Sequence, residues 1–182
     1  MISRLLFRSA VALAAASVLT TAQAAPVNWT LANVFMTSTT STAVIAITGS
    51  FTFDATTGVY SNVSIVGGGF SYDTSEISVT PFGADASGLE LVDGFVPGNN
   101  IGKSLLNLDF ASALTNAGGV VNLLVGFPTF QGQCTTADCG SGTILFVGSS
   151  GSVTSLAVPE PATLALAGAA LLALRLGRRR NA

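Results

Sequence analysis

From Ile45 to Phe53 the odd positions are Ile, Ile, Gly, Phe and Phe, while Ala46, Thr48, Ser50 and Thr52 between them are small or polar. A side-chain period of two belongs to a strand with one face buried. Asp54 to Gly58 follows, with a turn-forming Asp at its start, where it caps its own backbone, and Gly at its end. Val59 to Val66 then resumes the alternation, so the stretch predicts a β-hairpin. A lone hairpin is marginal in water, so its apolar face demands further strands.

The rest of the chain offers them. Val27 to Met36 reads as a short extended lead and Thr37 to Thr42 as a loop. Gly67 to Gly69 breaks the pattern as a turn, Phe70–Tyr72 and Glu76–Thr80 are short strand candidates, and Pro81 marks an edge or an end. Asp85 to Gly102 reads as strand pieces joined by turns, and Leu105 to Phe110 as a strand. Val120 to Phe127 is a continuous apolar run interrupted only by Asn122 and Gly126, which predicts a buried central strand. Thr143–Val147 and Ser152–Val158 flank Gly148–Gly151 and predict a C-terminal hairpin. About eight short strands with turns at this spacing predict an all-β fold, a single antiparallel β-sandwich for which a jelly-roll order is one arrangement.

The two ends have a different character. Residues 1–24 contain Arg4 and Arg8, an apolar run from Ala10 to Val18, and then Ala22-Gln23-Ala24. This is the pattern of a secretory signal peptide with a signal helix, read by the general secretion machinery and cut by signal peptidase after Ala24. Cutting after Ala25 would place Pro26 directly behind the scissile bond. An uncleaved anchor is the alternative. At the other end, Val158-Pro159-Glu160-Pro161 precedes an apolar run from Ala162 to Leu174 and a basic cluster at Arg175, Arg178, Arg179 and Arg180. Continued to Gly177, this transmembrane helix is about 24 Å long, short for a hydrocarbon core of about 30 Å. It spans if Arg175 snorkels toward the headgroups, with the arginines held in the cytoplasm.

Order, spacing and terminal position make residues 158–182 resemble the PEP-CTERM sorting signal. The resemblance implies an exosortase as partner, with Val158, Pro159, Glu160 and Pro161 as recognition residues. It also implies transient anchoring in the inner membrane and release to the cell surface or extracellular matrix. A permanent single-pass anchor is the competing reading. The passage Gly49 to Ile65 is also similar to a hairpin near the start of many PEP-CTERM ectodomains, which implies an all-β extracellular domain. The expected organisation is therefore 1–24 signal, 25–157 exported domain and 158–182 sorting signal.

Six of the seven basic residues lie in the two end segments. Residues 25–157 keep one lysine, Lys103, against eight carboxylates, a formal charge of −7. Nucleic acid is thereby excluded as a partner, because phosphates need a basic surface. Charged residues are 9% of the chain, where about 25% is usual, so its solvent face must be built from Ser, Thr, Asn and Gly. At 49% hydrophobic it still has the material for a core, unlike a disordered chain. Cys134 and Cys139, exported to an oxidising compartment, are expected to form a disulfide that pins a connection more than it holds the fold. The alternative, a metal site, has no histidine to complete it.

The absence of histidine also removes Ser-His-Asp and Cys-His catalysis. Lys103-Ser104 lacks the helical spacing of a Ser-Lys pair. A glycosidase carboxylate pair would lie in a cleft with a single tryptophan, Trp29, to line it. Asp73, Glu76, Asp85, Glu90 and Asp93 crowd one irregular region and could offer oxygens to calcium, against ordinary solvated carboxylates. Gly67–Gly69 is not followed by the Gly-Lys-Ser/Thr of a phosphate loop. Neither a catalytic residue nor a cofactor is expected. The reading is a structural protein of the surface or of an exopolysaccharide or biofilm matrix. The alternatives are a carbohydrate-binding or calcium-dependent adhesion module and a permanently anchored protein with unrecognised hydrolase activity.

Overall fold

The computed structural model describes residues 25–78, 84–156 and 168. The expected signal helix in 1–24, the expected transmembrane helix in 158–182 apart from Gly168, Pro81 and the last two residues of the strand expected over Glu76–Thr80 lie outside the described residues. Among the described residues no helix is long and apolar enough to cross a membrane.

The described chain is all-β, and its strands fall within one compact unit, Pro26–Val158. The strands are β1 (Val27–Ser38), β2 (Val44–Asp54), β3 (Val59–Gly67), β4 (Phe70–Asp73), β5 (Gly88–Val92), β6 (Ser104–Asp109), β7 (Gly119–Asn122), β8 (Gly126–Cys134) and β9 (Gly142–Ser155). All belong to one antiparallel sheet in the order β4-β3-β2-β1-β9-β8-β6-β5, with β7 alongside β9. The first and last strands thus pair at the middle of the path. Thr30 lies opposite Thr154, so the domain is entered and left at the same end of the sheet.

The two ends of the path approach each other. After β4 a single 3-10 turn (Thr74–Glu76) leads to Ile77, which bridges Leu91 of β5, and the Ser78 N–H donates to the Glu90 carbonyl at 3.0 Å. The sheet is nearly closed into a barrel. This corrects the expected sandwich, because one hydrogen-bonded path stands where two separate sheets were anticipated. Alternation tells which side of a strand is buried, and a rolled sheet and a pair of stacked sheets produce the same alternation. What selects rolling here is curvature. The twelve-residue β1 and fourteen-residue β9 are bent by register shifts between Thr30 and Val34 and between Ala32 and Phe35, and such bulges coil a sheet.

Three further expectations change. The short extended lead is the central strand β1. The apolar run Val120–Phe127 is not a buried strand; it is divided between β7 and the start of β8, with Val120 69%, Val125 61% and Phe127 69% exposed. Gly126, at φ +86, and the register shift between Gly126 and Phe130 break the run. Finally, Gly148–Gly151 is no turn, and β9 passes straight through it. These glycines serve close approach: a Cβ on Gly148 would come within 2.9 Å of the Thr129 side chain, and one on Gly151 within 2.7 Å of Val34. The predicted β2–β3 hairpin is present, with Asp54 Oδ1 accepting from the Thr56 N–H at 2.9 Å and its carbonyl from the Gly58 N–H at 2.7 Å.

Inward residues of the rolled sheet form the main core, among them Trp29, Phe51, Phe53, Ile65, Leu91 and Leu106. Tyr60 stacks at 5.3 Å from Phe51 and 4.5 Å from Phe53. Leu105, next to Leu106, points the other way, into a smaller core with Val92, Phe130, Cys134 and Cys139. That second core gives β5, β6 and β8 a covered outer face, which is why all of β5 is buried.

Candidate functional site

Cys134 and Cys139 are joined in a disulfide, with their Cα atoms 4.8 Å apart. Both are buried. The loop they close is held against the segment after β5 by Asn100, itself fully buried. The Asn100 side-chain amide donates to the Ala137 carbonyl at 3.0 Å, and its Oδ1 accepts from the Val96 N–H at 2.9 Å. Nothing in the sequence pattern singled out Asn100; a polar residue in a Gly/Asn-rich turn reads as solvated.

Three of the five crowded carboxylates, Asp73, Glu76 and Asp85, accept from backbone N–H groups. Asp73 caps the 3-10 turn through the Ser75 N–H at 2.7 Å, and the Ser75 hydroxyl and N–H together hold its carboxyl below the usual range. Glu76 completes that capping box, accepting from the Asp73 N–H at 2.9 Å. Its other oxygen accepts from the Gly94 N–H at 2.6 Å, tying the exit of β4 to the exit of β5. Asp85 accepts from the Ser87 N–H at 2.6 Å. Among the described residues no three Asp, Glu, His or Cys side chains are grouped to hold a metal ion. Asp54, which also accepts from the Asn116 amide at 3.1 Å, is held low chiefly by that contact.

Lys103 and Ser104 part company: the Lys103 ammonium donates to the Gly94 carbonyl, while the Ser104 hydroxyl turns inward to the Tyr72 hydroxyl at 2.8 Å. The Gln131 side-chain amide approaches the Ser104 hydroxyl at 3.5 Å. This buried Tyr72–Ser104–Gln131 group was not anticipated, and strand alternation could have found it only by marking Ser104 and Gln131 as inward. Burial lifts the Tyr72 phenol above its ordinary range, so it stays neutral and serves as a hydrogen-bonding core residue. At the opposite end the Tyr60 hydroxyl donates to the Asp85 carbonyl at 2.6 Å.

The remaining site residues, Ala22, Ala24, Val158, Pro159, Glu160, Pro161, Arg175, Arg178, Arg179 and Arg180, lie outside the described residues. Compared with known families, residues 157–180 match the PEP-CTERM protein-sorting motif. The tail is a PEP-CTERM motif. No curated protein matches the chain, and no solved structure matches it either. The PEP-CTERM motif implies processing by an exosortase and export to the cell envelope or surface. It covers the tail alone, beyond the end of β9 at Ser155, so the motif bears on the destination of the barrel and not on what the barrel does there.

Proposed function

We propose that this chain is a non-enzymatic structural protein of the cell surface or of an exopolysaccharide-rich, biofilm-type matrix. The observation that carries the reading is the PEP-CTERM motif at residues 157–180. In this reading signal peptidase removes residues 1–24 as the general secretion machinery exports the chain. The tail then holds it briefly in the inner membrane, with Arg175 and Arg178 to Arg180 on the cytoplasmic side. The exosortase recognises Val158, Pro159, Glu160 and Pro161 at the outer face and supplies the catalytic groups itself. A barrel with few charges and a disulfide-pinned loop suits an oxidising, extracellular destination.

Intact-mass measurement of protein recovered from the surface of exosortase-bearing cells tests this directly. The expected species begins at Ala25 and ends near Pro161. Mature protein that still carries Arg178 to Ala182, or release unchanged by Glu160→Ala and Pro161→Ala, would replace sorting with a permanent anchor.

A further inference from the structure

Strands β1, β3, β7, β8 and β9 contain no charged residue, and β2 has only Asp54 at its last position. The charge of the domain is thus gathered at strand ends, in loops and on β5 and β6, leaving the wall made by β3, β2, β1 and β9 neutral. Strand register orders the polar groups on that wall. Thr30 lies opposite Thr154 on one side and Ser50 on the other, and Ser50 lies opposite Ser64. Four hydroxyl residues therefore form one row across four strands, spaced about 4.8 Å apart. Their strand neighbours Trp29, Phe51, Ile65 and Val153 are buried, so the row faces outward. Asn28 opposite Thr52 begins a second row. Further along β1, Phe35 is 41% exposed beside Ala46 and Ser150.

We propose that this wall binds an uncharged polysaccharide, with sugar hydroxyls on the Thr/Ser row and the apolar face of a sugar ring against Phe35. The proposal rests on the reading of the chain as a matrix protein and names its partner class. Hydroxyls and amides both donate and accept, as sugar hydroxyls do, and an exposed aromatic ring offers the apolar surface that carbohydrate C–H groups pack on. A phosphate or uronate polymer or an anionic membrane would need cations, and the domain has one lysine. A second copy would bring a further formal charge of −7 against the first. Binding through neutral groups in many weak contacts strengthens with polymer length and is insensitive to salt.

Affinity electrophoresis of the processed protein, purified from the producing cells, decides the matter. Gels carry hydroxyethylcellulose, galactomannan or the anionic polymer alginate, each at low and high salt. We expect retardation by a neutral polymer at both salt levels and none by alginate. Thr30→Glu with Ser64→Glu should weaken retardation at least about tenfold, while Ser141→Glu, at an exposed position just beyond Cys139, should leave it unchanged; circular dichroism checks that each variant stays β. No retardation by either neutral polymer, equal retardation by alginate, loss at high salt, or a Glu pair that still binds overturns the proposal. A dimer in sedimentation that Thr30→Glu dissociates overturns it in favour of a second copy. Surface protein with a trimmed tail that binds neither neutral polymer refutes the wall alone, whereas protein that never reaches the surface refutes the matrix reading beneath it.

Discussion

Cys134 and Cys139 do more than close a small loop. Restricting the unfolded chain over so short a span contributes about 2 kcal/mol, and both sulfurs also pack beside Leu105 and Phe130 in the smaller core. Replacing both by Ser loses the link and buries two hydroxyls there. Urea unfolding should show a loss of about 2–4 kcal/mol, with the β spectrum retained because the main core is separate, and native protein should expose no thiol to labelling. Asp109 is a residue-scale effect of opposite sign to the surface caps. Burial raises its carboxyl above the ordinary value, the Asn107 amide lowers it and Asp85 raises it further. A folded pKa above the unfolded one gives stability present at low pH and lost as pH rises through the folded value. Asp109→Asn should therefore raise the thermal midpoint at pH 7 by about 1–3 °C and make no difference near pH 3. Asp54, Asp73 and Asp138 are held low by hydrogen bonds, so their contribution is present above about pH 4 and fades as pH falls through their lowered values.

At the scale of the element, glycines decide how closely strands approach. Gly49 in β2 has φ +133, and a Cβ there would strike the Ser64 carbonyl and lie 2.7 Å from the Ile65 Cα. Backbone of a paired strand cannot yield cheaply. Gly49→Ala should cost about 2–4 kcal/mol. Gly58, in the hairpin turn at φ +70, has open space where a Cβ would stand, and Gly58→Ala should cost only about 1 kcal/mol. Equal losses in denaturant unfolding would show that left-handed strain alone, and not strand proximity, governs both positions.

At the scale of the whole molecule, the seam between β4 and β5 is the sparsest closure among the described residues. β4 and β5 each pair along four or five residues with an inner neighbour, yet across the seam the backbone connects through the Ile77–Leu91 bridge and the Ser78–Glu90 hydrogen bond. Glu76, reaching Gly94, ties it at one end. Local opening should start there. Hydrogen exchange is expected to find the Ser78 and Gly94 amides exchanging before those of β1 and β9, and Glu76→Ala should accelerate them at least about tenfold. Slower exchange at the seam than in β1 would mean the barrel is sealed by more than these contacts.

Local rules carried the all-β class, the β2–β3 hairpin with its Asp54 turn, the disulfide and the PEP-CTERM tail, because each depends on neighbours in sequence: alternation, turn chemistry, cysteine count, or an ordered terminal pattern. Tertiary structure alone decided the rest. Whether the buried faces met as two sheets or one rolled sheet depended on bulges in β1 and on the Ile77–Leu91 bridge. The Val120–Phe127 run lies largely exposed because β9 is shared between β7 and β8, and apolar composition carries no record of which strand occupies which half of a neighbour. Gly148 and Gly151 resemble a turn in sequence, yet they lie within a strand because Thr129 and Val34, distant along the chain, need the space a side chain would fill. The row Thr154-Thr30-Ser50-Ser64 exists only through strand register, since its members come from four strands whose pairing no local pattern specifies.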